Sequence, residues 1–147
     1  MDLDKFKQVN DTFGHSFGDR LLRALVDSCR AELRATDVFA RLGGEEFVVL
    51  LPGIGLHEAA ETAERLRARV ARDLACLDGA SVQATVSLGC ATMTVETAEL
   101  DAMLEAADQA LYRAKRLGRN RVEIGTLGLA AADCAAAAAL LQPAGIS

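Results

Sequence analysis

The chain has no C-x-x-C pair. Its four cysteines, Cys29, Cys76, Cys90 and Cys134, are scattered, and two histidines accompany them. This excludes the usual structural zinc classes, whose ligands come in closely spaced pairs. Isolated thiols fit a reducing compartment, so a cytoplasmic protein is expected. A secretory leader is not expected either, since the chain opens on the charged stretch MDLDKFK. No apolar run reaches the roughly 18 residues of a membrane span, so no membrane segment is expected. Positive charge is in deficit: 16 Lys and Arg stand against 21 Asp and Glu, a net charge of −5. Polymeric nucleic acid demands a basic footprint and is therefore not the expected partner, whereas a small phosphorylated ligand needs only a local basic patch. Neither a Ser-His-Asp nor a Cys-His nucleophile set is evident.

What is present suits one folded domain. In 147 residues, 51% are hydrophobic and 25% charged, enough for a core and too apolar for wholesale disorder. Leu21, Leu22, Leu25, Val26, Cys29 and Leu33 recur at helical spacing, which predicts a helix over 19–34 with Asp19 at its start. Two strands are predicted at 38–42 and 46–51 around Gly43-Gly44, a pair suited to a tight hairpin. The apolar run FVVLL reads as a covered strand. A second helix is predicted over 57–74, followed by an Asp78-Gly79 turn. Strict alternation of Val82, Ala84, Val86, Leu88 and Cys90 predicts a strand over 82–90. A third helix, at 99–117, carries Leu100, Leu104, Ala107, Leu111 and Ala114 and is capped by Gly118. RVEI, at 121–124, reads as a last strand. This order implies an α+β layer, with helices on one face of an antiparallel-rich sheet. From Thr126 onward the chain is alanine-rich and reads as a tail, leaving 1–125 as the domain.

Four segments carry candidate chemistry. MDLDKFKQVNDTFGH brings Asp2, Asp4, Asn10 and Asp11; such acids are often merely solvated, but one or two carboxylates beside substrate phosphate also suit magnesium. RLGGEEFVVLLP puts Glu45 and Glu46 beside two glycines that would let a nucleotide approach the backbone. Arg113, Lys115, Arg116, Arg119 and Arg121 complement a helix C-terminus, and Lys115 and Arg119, four apart, could also face a triphosphate. Arg34-Ala35-Thr36-Asp37 pairs a guanidinium with a carboxylate at a helix-to-strand junction.

Taken together with GDRLL, TVSLG and ADQALYRAKRLGRN, and in this order and spacing, these segments resemble the GGDEF family of bacterial diguanylate cyclases in its GGEEF variant, over roughly residues 2–124. The resemblance implies a ferredoxin-like, nucleotidyl-cyclase-like fold. The reaction it implies converts two GTP into cyclic di-GMP and two pyrophosphates with Mg2+ (or Mn2+). It further implies that Asp2, Glu45 and the Leu3 carbonyl hold the metal, while Glu46 assists the attacking 3′-hydroxyl or a second ion. Asn10 and Asp19 would read guanine, whose N1–H and N2–H2 are donors. Phe6, Lys7, Gly43, Gly44, Lys115 and Arg119 would border the rest of GTP. Arg34, Asp37 and Arg65 would hold the product at an inhibitory site. A homodimer is implied as the active form, since two GTP must meet symmetrically.

The chain departs from that family at its start, where Met1 stands directly before Asp2. The first strand is expected to be mostly missing, together with the segment that precedes it, and a weak enzyme is expected in consequence. Three functional classes remain open: a cyclase, an impaired module that binds cyclic di-GMP or GTP, and a small α+β interaction domain that would show no thermal shift with either nucleotide.

Overall fold

The computed structural model describes residues 1–92, 99–125 and 139, and within 1–92 and 99–125 it has seven strands and four helices. The alanine-rich tail expected at 126–147 falls outside the described residues apart from that isolated position. The elements are β1 (Asp2–Leu3), α1 (Phe6–Phe13), α2 (His15–Arg30), β2 (Val38–Gly43), β3 (Glu46–Leu50) and α3 (Leu56–Asp73). They continue as β4 (Cys76–Leu77), β5 (Ala80–Ser81), β6 (Val86–Cys90), α4 (Leu100–Arg116) and β7 (Val122–Ile124). Five strands form one sheet in the order β2-β3-β1-β6-β7, antiparallel except for β6 with β7. This is the expected α+β fold. Its central strand is the two-residue β1.

Side chains alternate across a strand, so β6 shows what lies on each face of the sheet. Val86, Leu88 and Cys90 join the core with Leu21, Leu25, Leu66 and Val70 from α2 and α3. Burying each such large aliphatic side chain contributes roughly 1.5–3 kcal/mol. Gly89 points the other way, where an added Cβ would collide with the Ala107 carbonyl of α4. Helix α4 therefore covers the face opposite α2 and α3, and the expectation of helices on one face is corrected. The close approach also re-aims α4. Its buried residues are Ala106, Ala110, Leu111 and Ala114, while Leu100 and Leu104, expected to face inward, are exposed. Small side chains are required there because Gly89 and Gly125 bring the backbones of helix and sheet together.

The hairpin strands and the 57–74 helix lie where periodicity predicts them, to within a residue or so. The other differences are local. Helix α1 was not expected; it carries apolar residues at Phe6, Val9 and Phe13 and leans on α2 through a stacked Phe13–Phe17 pair, 4.7 Å between ring centres. Helix α2 starts at His15 and ends at Arg30, so Asp19 lies in its second turn and Arg34 beyond its end. The predicted strand over 82–90 is regular only over Val86–Cys90. Before it, the Val82 and Gln83 N–H groups both donate to the Ala75 carbonyl, and Gln83 is left-handed with φ 50°. The chain there folds back on the end of α3 instead of extending. Asp78 and Gly79 do form a turn, joining β4 to β5. In β3 only Phe47 is buried; Val48 and Val49 are half-buried and Leu50 is exposed, so that strand is less covered than its apolar run suggests. Burial pushes the Cys29 thiol up to about 12 and the Cys90 thiol up to about 11, which makes both inert packing residues.

Candidate active site

The centre of the sheet brings the acidic segments together. Asp2 on β1 stands opposite Glu46 on β3 and Ser87 on β6. The Leu3 N–H donates to the Glu45 carbonyl at 3.1 Å, and the Phe47 N–H to the Met1 carbonyl at 2.8 Å. The Leu3 side chain is anchored in the core, 1% exposed, which fixes the backbone carrying Asp2 on the opposite face. Asp2 is itself only 5% exposed. Its Oδ2 accepts an ion-paired hydrogen bond from Lys115 Nζ of α4 at 2.8 Å. Two-residue strand β1 thus unites three of the four predicted segments.

The β2–β3 turn consists of Gly44 and Glu45, because Gly43 pairs with Glu46. Gly44 is left-handed, φ 50°, as the notion of a glycine turn requires; Gly43 is not, and meets the register shift between Arg41 and Gly43 instead. The Arg41 Nε donates to the Gly44 carbonyl at 2.8 Å and braces the turn. A side chain at either glycine would meet nothing within 4 Å, so open space lies beside this backbone. Glu45 is half-buried and Glu46 exposed, and among the described residues neither carboxylate has an ion-pair partner. Asp2, the adjoining backbone and Glu45 offer oxygen donors alone, a set that fits a hard divalent cation completed by substrate phosphate. No cluster of three carboxylate, imidazole or thiol groups occurs among the described residues, so such an ion would need those further oxygens.

Helices α1 and α2 make a second corner. Asn10 packs against Gly18, where any Cβ would strike its side-chain amide and approach Phe6. The Asn10 Oδ1 is buried with no hydrogen-bond partner, an orphan acceptor of the kind a ligand donor satisfies. Asp19 follows Gly18 directly and is exposed. The two helices therefore bring the predicted guanine readers to one junction. Helix α1 begins after left-handed Lys5 with no side-chain cap, which leaves its first N–H groups, those of Phe6 and Lys7 included, open to an anion.

The basic cluster divides by task. Arg113 donates to the Ile124 carbonyl at 2.7 Å and Arg116 lies over the Tyr112 ring, so both serve the fold. Lys115 reaches Asp2. Arg119 is exposed, and no hydrogen bond or ion pair holds its guanidinium among the described residues. It lines a cleft of about 400 Å³ with Asp4, Lys5 and Asn120.

Arg34, Asp37 and Arg65 lie apart from this centre, around the end of α2. The Asp37 N–H donates to the Arg34 carbonyl at 3.0 Å, the Arg34 N–H to Asp37 Oδ2 at 2.8 Å, and Arg34 Nη2 to Asp37 Oδ1 at 3.0 Å. Burial would raise the Asp37 pKa, but the Arg34 side-chain and backbone hydrogen bonds outweigh it and hold the carboxyl below its usual range. Arg65 of α3 donates to Glu32 at 3.0 Å and to Thr62 at 3.1 Å. Glu32 is two residues before Arg34, so the three predicted residues share one surface. Three residues outside the predicted set prove to be tightly engaged, Glu32, Arg67 and Asn120, as does Asp4, a candidate carboxylate to which sequence reasoning assigned no role. Asp4 was legible in part, since it repeats the Asp2 position two residues on, around buried Leu3. The other three become visible only through contacts distant in sequence.

The model of the diguanylate cyclase GGDEF domain matches residues 1–121. Diguanylate cyclase DgcP of Pseudomonas aeruginosa is 45% identical over 124 residues, which are 84% of this chain and 18% of that protein. The chain thus spans less than a fifth of that relative. Among solved structures, the GGDEF domain of DgcB from Caulobacter crescentus, in complex with c-di-GMP, is 34% identical with a TM-score of 0.77, covering 84% of this chain and 73% of that one. Diguanylate cyclase SiaD of Pseudomonas aeruginosa, in complex with its activator SiaC, is 37% identical with a TM-score of 0.78, over 84% of this chain and 47% of that one.

Proposed function

Because the chain belongs to the diguanylate cyclase GGDEF family, we propose that it condenses two GTP into cyclic di-GMP and two pyrophosphates. The observation that carries this reading is the union of Asp2, Glu45, Glu46 and Lys115 at the short central strand. Asp2, the Leu3 carbonyl and Glu45 would hold Mg2+ or Mn2+. Bound there, the ion supplies charge neutralisation on the reacting phosphate. The Asn10 amide and the Asp19 carboxylate accept the guanine N–H donors, which gives the orphaned Asn10 oxygen its partner. The first turn of α1, through Phe6 and Lys7, and the cations of Lys115 and Arg119 bind the triphosphate. Lys115 then has two anions to bridge, Asp2 and phosphate, which orients the substrate against the carboxylates. Gly43 and Gly44 leave the nucleotide room beside the turn. Glu46 accepts the proton of the attacking 3′-hydroxyl. In-line placement and charge neutralisation suffice for this reaction class, with no covalent nucleophile.

A single half-site holds one GTP, so two copies face each other across a two-fold axis in the active form. Residues 1–125 constitute the catalytic unit and 126–147 a tail outside it. A GTP-consuming domain of this kind works in the cytoplasm; no described helix is long and apolar enough to cross a membrane. Arg34, Asp37 and Arg65 bind the cyclic product on a separate surface. That intact surface also favours a second reading, an impaired module acting as a cyclic di-GMP receptor. Incubation with GTP and Mg2+, followed by chromatography, tests the two: cyclic di-GMP accumulates for a cyclase, whereas a receptor binds it in calorimetry and makes none.

A further inference from the structure

Asp4 is a nearly buried carboxylate, 6% exposed, to which the proposed reaction gives no task. Its Oδ2 accepts from Thr85 Oγ1 at 2.7 Å and from the Asn120 N–H at 3.1 Å, and its Oδ1 from Ser87 Oγ at 2.7 Å. The Asn120 contact joins residues 116 apart in sequence. Asn120 is gripped from a second side, where Arg67 Nη1 of α3 donates to its Oδ1 at 2.7 Å. Arg67 is held in turn by Glu64, at 2.9 Å through Nε and 2.6 Å through Nη2. Between these anchors and the end of α4 lie three consecutive left-handed residues: Gly118 (φ 115°), Arg119 (φ 65°) and Asn120 (φ 46°). Arginine does not favour that conformation, so the surroundings must impose it.

We propose that Asp4 is a positioning residue which, through the Asn120 N–H, locks this left-handed turn and so aims Arg119 at the phosphates. The inference rests on the reading of Lys115 and Arg119 as the phosphate clamp. Asp4 acts by accepting hydrogen bonds: its two oxygens already receive three donors, and a metal role is not needed to account for it. An asparagine could preserve this arrangement. Its Oδ1 would accept from Thr85 and from the Asn120 N–H, while its Nδ2 donates to a rotated Ser87 hydroxyl.

The test compares 3′-deoxy-GTP, which lacks the attacking hydroxyl, with guanosine, in titrations followed by NMR in Mg2+ buffer. Melting temperatures are recorded alongside. Asp4→Ala is expected to weaken 3′-deoxy-GTP about tenfold or more, the effect of misdirecting one charge-assisted contact, with guanosine binding unchanged. Asp4→Asn is expected to retain most of the affinity. Arg67→Ala, on the outer anchor, is expected to give a smaller loss in the same direction, and it carries the test by itself if Asp4→Ala does not fold. Equal loss for guanosine and the triphosphate, Asp4→Asn as damaging as Asp4→Ala, or no loss at all would overturn the inference. Arg119→Ala separates it from its premise. If that variant binds 3′-deoxy-GTP normally, the clamp reading fails and takes the inference with it; if it loses affinity while a folded Asp4→Ala, or Arg67→Ala in its place, does not, the inference alone fails.

Discussion

Two charged regions of the molecule are built on opposite plans. Around the centre of the sheet, Glu45 and Glu46 have no ion-pair partners among the described residues, the Arg119 guanidinium is unheld and the Asn10 oxygen lacks a donor. Where the end of α2 meets α3, by contrast, a set of charges is matched within the chain. Arg34 closes on Asp37, Arg65 and Arg69 share Glu32, and Arg69 and Arg72 share Asp73, which also accepts from Ser28. Unmatched charge of both signs costs stability and is tolerated where a ligand completes it. Matched charge is self-sufficient, so a ligand arriving there must displace an existing partner. The proposed reaction centre follows the first plan and the proposed product site the second. On that proposal GTP would meet a surface short of partners, whereas cyclic di-GMP would compete with Asp37 and Glu32 for arginines already engaged.

The sharpest way to break this contrast is at the turn. Glu45→Ala is expected to lower cyclic di-GMP formation by about 1,000-fold, since metal stabilisation of a transition state is worth several kcal/mol and each ~1.4 kcal/mol is tenfold. Its melting temperature should be unchanged, because the Glu45 carboxylate has no ion-pair partner among the described residues. Near-normal product from the folded variant would remove the metal role. On the matched surface, Arg34→Ala is expected to weaken cyclic di-GMP by about 10- to 100-fold, the worth of charge-assisted hydrogen bonds, and to relieve product inhibition with GTP turnover intact. Unchanged affinity in calorimetry would dissolve the assignment.

Gly18→Ala tests the unmatched side by displacement. The new methyl group strikes the flexible Asn10 side chain, not backbone, so the fold should persist while GTP affinity falls about tenfold, roughly the loss of one buried hydrogen bond. Unaltered GTP binding would sever Asn10 from guanine. The smallest effect is pH-dependent. The Arg65 hydrogen bond lowers the Glu32 pKa from its usual 4.5, and the Ser28 hydrogen bond lowers that of Asp73 from 3.8. Groups with depressed native pKa values stabilise the fold fully above their unfolded values, and that stability is lost as pH falls through the native ones. Melting temperature should therefore fall with acidification below about pH 4.5, and less steeply in Arg65→Ala. Because Arg65 is largely exposed, the difference should stay within about 1 kcal/mol; parallel curves would show that the pair contributes nothing.

Periodicity in the chain was enough to determine α3, the β2–β3 hairpin, the helix before β7 and the α+β class, because each rests on local spacing and on glycine turns. The order of the acidic, glycine-rich and basic segments determined the family and the residues that meet at β1. What periodicity could not reach was anything settled by a neighbour distant in sequence. Helix α1 has only eight residues, too short to be stable alone, and exists by leaning on α2. The strand expected from Val82 begins late because Ala75 captures the Val82 and Gln83 N–H groups. The buried face of α4 is Ala106, Ala110, Leu111 and Ala114, and not Leu100 and Leu104, because Gly89 and Gly125 draw the helix onto the sheet. Asp2 and Asp4 look alike in DLDKF, but tertiary structure alone separates them. Asp2 meets Lys115 and stands beside the Glu45–Glu46 turn, while Asp4 is surrounded by Thr85, Ser87 and Asn120, residues that reach it only once β6 and β7 have closed the sheet.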